Sequence, residues 1–164
     1  MWVRALEIIL AIAIFSFGFV LLFGAPYLPT MKKQVKAAIK LAGLKPGQTI
    51  LELGSGDGRV LIAAAQAGLN AVGYELNPLL FLYSYVRTRR YHKQIKVVFG
   101  NFWHQSWPKC DAIYVFLLPR LMSKLDRKIR AEGLAKVIVI SFAFKFSELT
   151  PVNEEQGIFA YRLK

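Results

Sequence analysis

Hydrophobic positions follow two different patterns along this chain. From Ile8 to Ala25 there is no charged residue, and Ser16 is the one polar side chain. With its flank from Trp2, this segment has roughly the 20 residues that an α-helix needs to cross about 30 Å of hydrocarbon. It has no polar face, against an amphipathic surface helix, and no polar interruption, against a core helix. The pattern therefore predicts one N-terminal transmembrane helix over residues 1–25, ended by Pro26 and Pro29. A cleaved signal peptide is the competing reading, because Arg4 sits in a short basic flank. Against it, Pro26 would follow the cut and no A-x-A pattern precedes it. Lys32, Lys33, Lys36 and Lys40 after the span, against Arg4 before it, predict a single-pass membrane protein with its body on the cytoplasmic side. In a eukaryote the mitochondrial inner membrane would serve equally.

After Thr30 the pattern changes to short apolar runs alternating with stretches of helical spacing. Helices are predicted from about Met31 to Ala42 (Thr30 as N-cap), Arg59 to Ala67, Pro78 to about His92, and Pro119 to about Glu132. Strands are predicted at Thr49–Leu53, Ala71–Leu76, Ile95–Phe99, Ala112–Leu117, Lys136–Phe144 and, as a last, outer strand, Gly157–Leu163. Nearly all-apolar strands alternating with helices imply an α/β fold whose parallel sheet is covered on both faces. Residues 26–48 then form a pre-core segment and helix, and residues 49–164 the core.

Composition narrows the function classes. The chain has 22 Lys+Arg against 10 Asp+Glu, a net charge of +12, yet is 55% hydrophobic, which excludes a disordered basic protein. One cysteine, Cys110, excludes an internal disulfide framework, and with two distant histidines, His92 and His104, it speaks against a metal site. Basic runs at Arg87–Lys96 and Arg120–Arg130 read as solvated helix faces. No recognised RNA-binding motif accompanies them, so nucleic acid is not the expected partner; contact with an anionic leaflet is the simpler account for an anchored chain.

The chemistry concentrates at the first strand-to-helix turn, Leu51-Glu52-Leu53-Gly54-Ser55-Gly56-Asp57-Gly58-Arg59. Glycines there let the backbone approach a ligand, and the next helix presents free N–H groups. Arg59 stands where a dinucleotide fingerprint needs its third glycine, and the G-K-[ST] ending of a phosphate-binding loop is absent. The spacing E-x-G-x-G-x-G is that of S-adenosylmethionine (SAM) binding. Glu75 ends the second strand, where a carboxylate can accept from both ribose hydroxyls.

The stretches Gly54–Arg59 and Ala71–Pro78 resemble the class I SAM-dependent methyltransferases, whose fold is a Rossmann-like, doubly wound, mostly parallel sheet. Pro26-Tyr27-Leu28-Pro29-Thr30 and Val115-Phe116-Leu117-Leu118-Pro119 are similar to segments of a narrower family. These are protein lysine methyltransferases acting on the mitochondrial adenine nucleotide translocase and ATP synthase c-subunit, with archaeal and bacterial relatives. The likeness runs from about Pro26 to Val152 and weakens afterwards, where the tail is short for a sixth strand with its helix.

The resemblance implies roles. Gly54, Ser55, Gly56 and Gly58 would cradle the amino-acid part of SAM, with Glu52 beneath them, and Glu75 would hold the ribose. Asn101 and Phe102 would contact the adenine. Tyr27 and Thr30 would close over the methionine carboxylate, and carbonyls near Leu117 and Leu118 would orient the target amine. Asp57 would bond backbone N–H groups at the helix start or the cofactor's ammonium. No residue is an evident base; Tyr27 is the best candidate, though it could equally be an interfacial anchor. Trp103 and Trp107 either wall the acceptor side or pack over a sheet edge where a helix is missing, the second being favoured. The implied function is a membrane-anchored protein-lysine N-methyltransferase acting on a membrane-associated protein. The alternatives are methylation of a lipid or small amine, and SAM binding without turnover in an assembly or sensor protein.

Overall fold

The computed structural model describes residues 29–134, 136–146 and 149–163, with Trp2, Arg4, Leu6, Glu7, Leu10, Ala11, Ile14 and Gly18 ahead of them. These residues build one seven-stranded sheet: β1 (Thr49–Leu53), β2 (Asn70–Glu75), β3 (Ile95–Phe99), β4 (Ala112–Val115), β5 (Ile138–Phe142), β6 (Asn153–Glu155) and β7 (Ile158–Arg162). The spatial order is β3-β2-β1-β4-β5-β7-β6. β1 to β5 are parallel, and β7 runs antiparallel between β5 and β6. The helices are α1 (Lys32–Ala42), α2 (Arg59–Gln66), α3 (Pro78–Thr88) and α4 (Pro119–Ala131).

Strand alternation divides the apolar side chains between two cores. Ile50, Ala71, Ala112 and Ile140 face α1 and α2, which contribute Val35, Ala38, Val60, Leu61 and Ala64. Leu51, Leu53, Ile113, Val115 and Val139 face α4, which supplies Met122, Leu125 and Ile129 at helical spacing. No helix joins β3 to β4; Trp107 fills part of that face. Among the described residues none stands between β5 and β6 either.

The chain leaves β1 for β2 and β3 on one side and returns as β4 on the other. In such a sheet this reversal of strand order is where a ligand is expected, at the carboxyl ends of β1 and β4, where the Leu53–Val115 pair ends the ladder.

Several expectations need correction. The transmembrane helix over residues 1–25 is not found: among the described residues no helix is long and apolar enough to cross a membrane. Most of that stretch lies outside the described residues, and the single-pass placement with a cytoplasmic body falls with it. The physical reason is that apolar composition satisfies only half of the requirement; the other half is about 30 Å of continuous helix. Thr30 is not an N-cap. Met31 holds that position without a side-chain bond, and the Thr30 hydroxyl is engaged elsewhere. The α3 prediction overran: the helix ends at Thr88 and a 3₁₀ turn, Arg89–Tyr91, follows. The last predicted strand is not an outer one: a further strand, β6, three residues long and without a helix before it among the described residues, pairs along its far edge.

Candidate functional site

The site grows from the turn after β1. Gly54 and Ser55 both donate their N–H to the Tyr74 carbonyl, at 3.0 and 2.8 Å, which bends the chain sharply off the strand. Gly54, Gly56 and Gly58 all lie at positive φ, between 53° and 91°. At Gly58 the requirement is double, because a Cβ there would also stand 2.5 Å from Ser84 Oγ of α3. Gly73 of β2 is needed for a different reason: a Cβ would meet Ser55 Cβ and Leu61 Cδ1, each at 2.7 Å. Its missing side chain is what lets the loop lie on the sheet.

Glu75 is buried at the end of β2 and grips this loop. Its Oε2 accepts from the Gly56 N–H at 2.7 Å, and its Oε1 accepts from the Asn77 N–H at 2.8 Å. Burial pushes its carboxyl above the ordinary value, opposed by the N–H groups of Asn77, Gly56 and Leu76. Each carboxylate oxygen keeps capacity for a further donor. Asn77 then caps α3, its Oδ1 accepting from Leu79 and Leu80 N–H groups.

Glu52 lies under the loop, 4% exposed. Burial raises its carboxyl well above the ordinary value, with the charges of Asp57 and Glu75 adding and Arg59 opposing. Its Oε2 and the Ser55 Oγ are buried without a hydrogen-bond partner. An orphaned acceptor and an orphaned hydroxyl beside a glycine loop fit a ligand that carries both an ammonium and a carboxylate, as the methionine end of SAM does.

Asp57 takes neither of its expected roles in full. It accepts from the Arg59 N–H at 3.2 Å, but mainly binds the Arg59 guanidinium, through Nε at 2.9 Å and Nη2 at 2.8 Å. Arg87 of α3 pairs with the same carboxylate. Burial alone would raise the Asp57 carboxyl; the Arg59 bonds and the two guanidinium charges outweigh it and hold it below the ordinary value. Arg59 also donates from Nη1 to the Thr30 carbonyl at 2.8 Å. Thr30 is fixed a second time where its Oγ1 meets the Tyr114 hydroxyl at 3.0 Å. Burial pushes that phenol up, reinforced by Glu52 and opposed by the Thr30 bond.

Arg59, Arg87 and Tyr114 are site residues that sequence reasoning missed. Arg59 was findable from its place behind the loop. Tyr114 was not, because its partner lies 84 residues away.

The remaining predicted residues divide. Gly100 donates its N–H to the Glu75 carbonyl at 2.9 Å, so Asn101 and Phe102 follow close to the end of β2. The Asn101 Oδ1 is occupied by the Trp103 N–H at 3.0 Å. Phe102 packs on Trp103, with ring centroids 4.7 Å apart, and its carbonyl accepts from Trp107 Nε1. Trp107 is buried in the α4 core and Trp103 packs against it, with Lys128 over the Trp107 ring and Lys124 over the Trp103 ring. Leu117 is buried, and Leu118 is 39% exposed with its carbonyl accepting from Leu121 N–H in the first turn of α4. Tyr27 lies outside the described residues.

Comparison with known proteins identifies the family and the fold. The ANTKMT methyltransferase domain family matches residues 52–153. The Homo sapiens lysine N-methyltransferase of the ATP synthase c-subunit is 35% identical over 128 residues, covering 77% of this chain and 54% of that protein. A protein-lysine N-methyltransferase of Saccharolobus islandicus is 27% identical over 130 residues, 77% of this chain and 81% of that one. Among solved structures, an RNA methyltransferase from Salinibacter ruber in complex with S-adenosyl-L-homocysteine superposes with a TM-score of 0.74 at 25% identity. It covers 83% of this chain and 92% of that one. The chain spans about half the length of the human protein and of its Xenopus laevis counterpart.

Proposed function

This chain belongs to the ANTKMT methyltransferase domain family, with SAM as its cofactor, and on that premise we propose that it methylates the ε-amino group of lysine in a protein. What carries the reading is that relatives as distant as human and archaeal proteins, of different lengths, both bear the name lysine N-methyltransferase. SAM supplies a methyl group activated by a neighbouring sulfonium, which passes to an amine lone pair as S-adenosylhomocysteine (SAH) leaves.

The residues of this chain have the remaining tasks. Gly54, Ser55, Gly56 and Gly58 would hold the amino-acid end, with the Glu52 Oε2 and Ser55 Oγ gaining the partners they lack. Glu75 would accept from the ribose while keeping the Gly56 bond, and Asn101 and Phe102 would border the adenine. Thr30, held from both ends, would close the methionine side together with Tyr27, and the Leu117–Leu118 turn would border the acceptor. A lysine ammonium, with a reference pKa of about 10.4, must lose a proton before it can react. Apolar surroundings favour the neutral amine, so desolvation can serve where no base is placed.

The test is incubation of the purified chain with radiolabelled SAM and cell extract, followed by protease, RNase and organic extraction. Label that protease releases as methyl-lysine supports the reading. Label lost to RNase would favour nucleic acid instead, a second reading to which the Salinibacter ruber neighbour and the net charge of +12 point. Label extracted with lipids or small amines, or no transfer despite SAH binding, would replace it.

A further inference from the structure

Three half-buried phenylalanines meet at the carboxyl ends of β4 and β5: Phe116 just past β4, Phe142 at the end of β5, and Phe144 two residues on. The Phe116 ring lies 4.7 Å from Phe142 and 6.0 Å from Phe144, the latter stacked at 22°. Phe142 packs on the α1–α2 core, whereas among the described residues Phe116 and Phe144 join neither core and lean on Phe142 and on each other.

The backbone between Phe142 and Phe144 is strained. Ala143 has φ 65°, left-handed and unusual for a residue with a Cβ. Three bonds hold it there: Ala143 N–H to the Gly157 carbonyl at 2.9 Å, Phe144 N–H to the Phe142 carbonyl at 2.8 Å, and the buried Ser141 Oγ–H to the Phe144 carbonyl at 2.6 Å. Strain fixed in this way gathers at functional sites. The position agrees: Val115 pairs with Leu53, so Phe116 emerges beside Gly54, the first residue of the cofactor loop.

We propose that Phe116, Phe142 and Phe144 form the acceptor subsite, an aromatic wall for the alkylammonium of the target lysine and of its methylated product. The proposal rests on the methyl-transfer reading above and adds to it the residues that receive the acceptor. Aromatic faces attract cations, most strongly where water is excluded. The same exclusion lowers the pKa of an unmethylated amine, while a quaternary product cannot deprotonate and keeps its attraction to the rings. The protein's own described cations stack on Tyr83, Tyr91, Trp103, Trp107 and Phe159 rather than on these three rings. Lys145, next in sequence, is turned to Glu154 and the Phe159 ring.

The experiment uses the intact chain saturated with SAH and two probes: N-acetyl-trimethyllysine amide and its neutral tert-butyl isostere. The cation should bind about threefold to tenfold more tightly than the isostere. Phe116→Leu and Phe144→Leu keep apolar bulk but lose the π face. Each should abolish that preference with SAH affinity and Tm unchanged. Equal binding of the two probes, or a preference surviving in both variants, overturns the proposal. A loss of SAH affinity in the variants overturns it too, by assigning the rings to the cofactor. If the unaltered chain binds no SAH, the methyl-transfer reading fails first, and a calorimetric control distinguishes that result from the others.

Discussion

Replacing Gly58 with alanine imposes two costs that a second substitution can separate. The first is conformational: at φ 75° an L-residue costs roughly 1–2 kcal/mol. The second is crowding against α3, since the new Cβ would stand 2.5 Å from Ser84 Oγ and 3.0 Å from Thr88 Cγ2. Overpacking of this kind costs about 1–3 kcal/mol. Together they destabilise the chain by roughly 2–5 kcal/mol. Ser84 provides the separation. Its hydroxyl is buried without a hydrogen-bond partner, so Ser84→Ala alone should change stability by no more than about 1 kcal/mol. In the double variant the 2.5 Å contact disappears, and the Ser84 Cβ stands at an ordinary 3.5 Å. The double variant should therefore recover about 1–3 kcal/mol relative to Gly58→Ala, leaving the conformational cost and the Thr88 contact. Urea denaturation of all four chains, with and without saturating SAH, measures the cycle. Effects that add within about 0.5 kcal/mol would refute the crowding argument.

Other expectations follow from the charges and bonds of the site. Glu52 has a folded pKa raised by burial. The stability tied to it is complete below its ordinary value of 4.5 and is lost as pH rises through the raised value. Glu52→Gln should match the parent chain near about pH 4, exceed it in stability by about pH 8, and bind SAH more weakly; a stability difference flat across that range would contradict the assignment. Asp57→Asn leaves Arg59 and Arg87 facing each other and should cost about 2–3 kcal/mol. This is below the full buried-pair value because the guanidinium side chains are 30% and 38% exposed. The Asp57 pKa is depressed, so its stabilisation is present above the ordinary value of 3.8 and fades as pH falls below it; denaturation that is unchanged by the substitution at neutral pH would count against the network. Tyr114→Phe removes the bond to Thr30 and should cost about 1 kcal/mol. It should also speed amide exchange at Val35, whose N–H donates to Met31 at the start of α1; unaltered exchange would show that this bond does not hold the segment.

Local pattern carried most of the fold. The β1, β3 and α2 boundaries could be read closely because apolar runs end at glycine or proline, and the cofactor loop could be read because its glycines serve one strand-to-helix turn. β6 escaped notice because three residues, Asn153-Glu154-Glu155, at an exposed edge carry no apolar signal and owe their pairing to β7. Thr30 looked like a helix cap, since sequence shows a hydroxyl before a helix but not a phenol 84 residues away that engages it. Trp103 and Trp107 could be weighed in sequence only on general preference, because the α4 residues they pack against, Lys124 and Lys128 among them, lie well further along the chain. The apolar N-terminal run shows the opposite error: composition was clear, but a spanning helix is a statement about continuous length, which composition does not supply.

The place of β7 has a consequence for how the molecule is made. β7 is the last strand in sequence yet sits inside the sheet, between β5 and β6. A ribosome releasing this chain exposes the β5 edge, lined by apolar Val139 and Ile140, until Ile158–Arg162 has emerged. Closure then waits on pairings such as Phe142 with Ile158, across a loop that no helix shortens among the described residues. Contacts of that span form late and leave an open strand edge on offer to neighbouring chains. The nascent protein is thus most exposed to aggregation in the interval just before its synthesis reaches β7, and trimming back past Ile158 would make that state permanent.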